Sequence, residues 1–105
     1  MSKLRILDFD IENRPLAYLG QDFTTGEITC IAACWVGSTE MWAEPLTKDP
    51  RSYRRMIEDF VKLYNAADMV TGHFIREHDL PAINGACVEL GLPTLADKMT
   101  CDTKI

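Results

Sequence analysis

At 105 residues, with hydrophobic residues at 47%, charged residues at 26% and a net charge of −5, the chain has the length and composition of one ordinary globular domain. No apolar run approaches a membrane-spanning length, and Met1-Ser2-Lys3 opens straight into a strand-like run rather than a signal peptide, so a soluble, cytoplasmic protein with no membrane partner is expected. The acidic balance excludes nucleic-acid binding by bulk charge alone: bound metal and a local basic patch would have to overcome it, and Arg51, Arg54 and Arg55 are the candidates for that patch.

Leu4 to Glu12 reads as a strand. Its two-residue period sets Leu4, Ile6, Asp8, Asp10 and Glu12 on one face and Arg5, Leu7, Phe9 and Ile11 on the other. Same-face neighbours on a strand lie roughly 6 to 7 Å apart, so Asp8, Asp10 and Glu12 repel one another at neutral pH. A divalent cation is one compensation, since hard ions such as Mg²⁺ or Mn²⁺ take carboxylate oxygens and keep other positions for water and phosphate. Hydration at a strand end is the other, because Asn13-Arg14-Pro15 follows as a loop signal.

Residues 13–26, with Pro15, Gly20 and Thr24-Thr25-Gly26, read as a loop. Ile28 to Val36 is β-prone and leads through Gly37-Ser38 into Thr39 to Ala43, a pattern that predicts a type II′ hairpin with the first strand beside it. Asp49-Pro50 then marks a helix start, and Tyr53, Met56, Ile57, Phe60 and Tyr64 recur at helical spacing to about Asn65. Asp68 to Thr71 follows as a short strand bounded by Gly72. Leu80 to Leu90 forms a second helix with Pro81 in its first turn, a stripe of Leu80, Ile83, Cys87 and Leu90, and Gly91 as its stop. Met99 to Thr103 is a fifth strand.

The order β-β-β-α-β-α-β implies an α/β fold with a mixed sheet, whose ligands lie outside the carboxyl ends of the parallel strands. Cys30, Cys34, Cys87 and Cys101 match no zinc spacing and are expected to be buried free thiols. Asp79, just before Pro81, has a structural explanation as an acid at a helix N-terminus.

Taken together, Asp10-Ile11-Glu12 in the first strand, then Gly72-His73 and Asp79-Leu80-Pro81, resemble the DEDD (DnaQ-like) 3′-to-5′ exonucleases, which have the ribonuclease H-like fold and include the proofreading domains of DNA polymerases. Residues 4–12 and 68–92 carry the resemblance. It implies a single ribonuclease H-like exonuclease domain over residues 1–105. Asp10, Glu12 and Asp79 match the family's metal-binding and catalytic carboxylates, and His73 and Phe74 fall at substrate-binding positions. The implied cofactor is Mg²⁺ or Mn²⁺, two ions when the site is complete. Ions about 3.5 to 4 Å apart can activate water and stabilise the leaving 3′ oxygen. The implied partner is DNA or RNA with a 3′ end.

The chain also departs from that family. Phe74 stands where Asn is usual and His78 where Phe is usual, and Asp8 is an additional acid. The third motif, a His or Tyr with the fourth carboxylate on a C-terminal helix, has no counterpart before Ile105, and neither Asp97 nor Asp102 supplies it. The domain is therefore expected to be incomplete at its C-terminus. A second chain or self-association would complete it. The alternative from a different class is a non-catalytic ribonuclease H-like binding module.

Overall fold

Alternation in the first strand sets the architecture. In the structure, a computed structural model that describes residues 4–15 and 26–103, Leu7, Phe9 and Ile11 are buried while Asp8, Asp10 and Glu12 are exposed, as the two-residue period requires. This strand, β1 (Ile6–Pro15), is followed by β2 (Gly26–Trp35), β3 (Trp42–Pro45), α1 (Ser52–Ala66), β4 (Met69–Gly72), a π-helical turn (Ile75–Asp79), α2 (Leu80–Leu90) and β5 (Met99–Asp102). The sheet order is β3-β2-β1-β4-β5. β1, β2 and β3 pair antiparallel, and β4 and β5 add in parallel beyond β1. The mixed sheet expected from the element order is thus present, with β1 at its centre.

One apolar core joins the buried side of β1 to both helices. Met56, Ile57, Phe60 and Tyr64 of α1 and Ile83, Ala86 and Cys87 of α2 pack with Leu7, Phe9, Ile11, Ile31 and Val70. The Phe9 and Phe60 rings lie 4.9 Å apart at 54°, an inclined contact of the kind favoured by ring quadrupoles. Both helices therefore belong to the apolar side, and the acidic side of β1 belongs to the other face. No helix among the described residues is long and apolar enough to cross a membrane.

Several boundaries differ from the sequence expectation. β1 runs on to Pro15 and β2 begins at Gly26, so the expected loop 13–26 starts late, and its stretch 16–25 lies outside the described residues. The two-residue hairpin at Gly37-Ser38 is replaced by a longer connection, with β3 starting at Trp42 and Ala33 paired to Trp42. Ser38 N–H donates to Trp35 O at 2.9 Å, and Gly37 has φ +94° as third residue of that turn. A type II turn reserves this position for positive φ, and such a turn splays strands instead of closing a tight hairpin.

α1 starts at Ser52 rather than Pro50, because Asp49 closes a turn before the helix. Its Oδ1 accepts the Arg51 N–H at 2.9 Å and its carbonyl accepts the Ser52 N–H at 2.9 Å. Of the cysteines only Cys87 is buried. Cys30 and Cys34 are half-buried and Cys101 is exposed. Cys30 and Cys34 pair across the ladder with Glu12 and Asp8, on the side away from the apolar core, so the expected burial of all four thiols does not hold.

β3 is held against α1 at an electrostatic cost. Glu44 pairs with the buried Ile31, and its Oε2 is shut from solvent without a hydrogen-bond partner. Burial pushes the Glu44 carboxyl above its ordinary pKa of 4.5, and the neighbouring Asp59 carboxylate adds to the shift against an opposing pull from Arg55. A raised native pKa means that the stability linked to this group is fully present below the unfolded value and is lost as pH rises through the native one. Glu44→Gln should therefore raise Tm at neutral pH, with the gain vanishing below pH 4.5. An unchanged Tm at neutral pH in thermal unfolding would contradict this account.

Candidate functional site

β1 pairs with β4 only from Ile6 to Asp8, against Met69 to Thr71. β4 ends at Gly72, and β1 continues alone on that side through Asp10 and Glu12. Backbone donors that a longer β4 would have met therefore need another acceptor, since a buried N–H without a partner is costly. Asp79 supplies it. Its Oδ2 accepts the Ile11 N–H at 3.2 Å, while its Oδ1 lies 2.8 Å from His78 Nδ1.

The local backbone explains why Asp79 reaches β1. Asp79 stands at the N-terminus of α2, as expected, but it has helical φ and ψ and makes no side-chain cap hydrogen bond there, its carboxylate turning to β1 instead. Residues 75–79 form a π-helical turn, with the Leu80 N–H donating to Ile75 O five residues back. The extra residue per turn rotates the side chain off the helix end, and such turns recur at functional sites. Asp79 is 2% exposed. Burial holds its carboxyl above the ordinary value of 3.8, opposed by the hydrogen bonds from His78 and Ile11 and reinforced by the charge of Asp10.

The structure thus brings Asp79 to the residue between Asp10 and Glu12, within the field of Asp10. Asp10 and Glu12 stand exposed on the open face, opposite Ala32 and Cys30 of β2. Asp8 shares their face opposite Cys34, and with Asp10, Gly72, His73, Cys34 and Met41 it lines an open cleft of about 520 Å³. His73 is exposed at the rim of that cleft. Phe74 is half-buried, turned away to stack on the His78 ring at 6.4 Å.

The donor set is all oxygen, which suits a hard cation. Its placement is looser than such a site requires. Among the described residues no three His, Cys, Asp or Glu side chains are gathered closely enough to hold a metal ion, and both oxygens of Asp79 already meet proton donors. The basic patch is also largely spent. Arg51 and Arg55 share Asp49 at 3.4 and 3.2 Å, and Arg54 and Lys62 lie 4.0 Å from Glu58 and Asp59.

Two residues enter that motif spacing did not single out. His78, marked in the sequence only as standing where Phe is usual, is the direct partner of Asp79, and its adjacency in the chain was the signal for it. Asp102, at the end of β5, accepts N–H groups from Phe74 and Arg76 and so touches the turn that carries Asp79. That contact spans the chain and had no local signal.

No protein-family model matches the chain, and no curated protein matches it in sequence. A solved family B DNA polymerase from the hyperthermophilic archaeon Pyrobaculum calidifontis is similar over 96% of this chain, with a TM-score of 0.72 and 19% identity. The chain spans 15% of the length of that polymerase. The likeness shows the fold, an α/β domain with a ribonuclease H-like five-stranded mixed sheet.

Gly72 is where β4 can stop beside β1. A Cβ there would meet the Phe9 backbone oxygen and Ile75 Cγ2, each at 2.6 Å. The backbone oxygen cannot swing aside, so Gly72→Ala should cost about 1–3 kcal/mol of stability through overpacking, read as a lower midpoint in urea unfolding. A midpoint equal to the parent's would show that β1 and β4 are not held at this spacing.

Proposed function

We propose that this chain is a 3′-to-5′ exonuclease-like domain that acts on the 3′ end of DNA or RNA with Mg²⁺ or Mn²⁺, and that Asp10, Glu12 and Asp79 are its carboxylates. The observation that carries the proposal is the burial of Asp79 against the Ile11 N–H, between two exposed acids of the same strand. The motifs resemble a family that includes polymerase proofreading domains, and the fold is like part of a DNA polymerase. These two supports are independent, since one rests on short motifs and the other on backbone shape.

Asp10 and Glu12 face solvent and are free to turn towards a cation. Asp79 is fixed by β1 and would reach a cation by giving up the bond to His78. A divalent ion held there would supply positive charge to a phosphodiester and to the water that attacks it. His73, which lines the cleft, can donate to a phosphate oxygen, whereas the Phe74 ring stacks on His78 and does not line that cleft. No helix covers the acidic face of the sheet among the described residues, and a second chain or self-association across that face belongs to the same proposal.

The looseness of the carboxylates supports a second reading, a binding module of this fold without catalysis. Calorimetric titration with Mn²⁺ and incubation with 3′-labelled single-stranded DNA and RNA separate the two. The exonuclease reading expects Mn²⁺ binding and nucleotide release by the parent. In Asp10→Ala, binding weakens about tenfold, or about 1.4 kcal/mol, and release is lost. Nucleic-acid binding without release favours the module, and equal Mn²⁺ binding by parent and variant rules out the site.

A further inference from the structure

We propose that Asp102 is the positioning residue of this site, through which β5 sets the turn that delivers Asp79 to β1. The inference rests on the reading of Asp79 as a site carboxylate. Its geometric part stands on contacts that need no metal.

The turn between β4 and α2 begins with a strained residue. Phe74 has φ +61°, the only non-glycine residue with positive φ among those described, and a bulky side chain adopts that conformation only where its surroundings enforce it. Asp102 is the enforcing group. Its Oδ1 accepts the Phe74 N–H at 2.7 Å and its Oδ2 accepts the Arg76 N–H at 3.1 Å, so one carboxylate fixes two alternate peptide units of the turn. Arg76 reaches back to the same strand, its Nε donating to Thr100 Oγ1 at 2.6 Å and its Nη2 to Thr100 O at 2.8 Å.

From Phe74 the chain runs directly through the π-helical turn to Asp79. The direction in which Asp79 leaves the backbone is therefore fixed at the start by β5 and at the end by α2. The Asp102 side chain is not what pairs β5 with β4. Backbone pairing does that, from Met69–Met99 to Gly72–Asp102. Removing the carboxylate should leave the ladder intact and release the turn.

The Ile11 amide reports the position of Asp79 without any ligand, because Asp79 Oδ2 is its acceptor. Amide exchange followed by NMR on the full chain is measured for the parent, Asp102→Ala, Asp102→Asn and Asp79→Ala, with the Phe60 amide inside α1 as a probe of global opening. Mn²⁺ titration is run on the same samples. The expected result is Ile11 exchange at least about tenfold faster in Asp102→Ala, close to that of Asp79→Ala, with Phe60 still protected. Asp102→Asn keeps one acceptor oxygen and should fall between parent and alanine variant. Mn²⁺ affinity should follow the same order.

Unchanged Ile11 exchange in Asp102→Ala overturns the inference. So does equal acceleration at Ile11 and Phe60 in both Asp102 variants, which would make Asp102 a residue of the fold as a whole. Selective acceleration at Ile11 in Asp102→Ala, with no Mn²⁺ binding by the parent, supports the positioning role while defeating the proposed metal site, so the two failures are distinct.

Discussion

The structure depends on a mismatch in strand length. β1 extends to Pro15, whereas β4 pairs with it only as far as Asp8 and stops at Gly72. A central strand that outruns its neighbour leaves polar backbone groups at the edge of an apolar core, and leaving them unmade costs more than an average hydrogen bond contributes. Asp79 closes this gap from the far end of the π-helical turn, standing in for the next residue of β4. The same contact that completes the sheet holds a buried carboxylate at Ile11, within the field of Asp10.

That arrangement explains why Asp79 can be buried at all. A carboxylate removed from water is disfavoured, and the raised pKa of Asp79 has burial as its largest cause. Two donors, the Ile11 N–H and His78 Nδ1, compensate in part, while Asp10 works against it. Asp10 and Glu12 escape the problem by facing solvent on the uncovered side of the sheet. One acid is thus held by hydrogen bonds while two face solvent, a division set by which face of β1 meets the helices.

Much of this was legible in the chain. The face alternation of β1, the α1 stripe, the exact span of α2 and the antiparallel pairing of the first three strands all follow from short-range periodicity, and periodicity acts through burial. What failed was local conformation. The Gly37 turn and the late start of α1 depend on which hydrogen bond a single residue makes, and Asp49 fits a helix cap and a preceding turn equally well. Asp79 lies at the start of α2 as the acid before Pro81 suggests, but its side chain does not cap the helix: its partner is 68 positions away on β1. Asp102, joined to Phe74 across 28 positions, was beyond any window-based pattern.

Long-range hydrogen bonds of this kind explain how a small sheet can aim a side chain. Each of Asp79 and Asp102 satisfies backbone N–H groups outside its own element, and each does so at the end of a strand where the ladder stops. Satisfying such donors with side chains instead of further strand leaves room at the carboxyl ends of β1 and β4, which is where sheets of this type present ligand sites. A longer β4 would complete the ladder more simply, yet it would fill the space that Asp79 occupies beside Ile11. The short strand and the carboxylates that finish it are therefore one structural solution, and it is this solution that leaves the carboxyl end of β1 open.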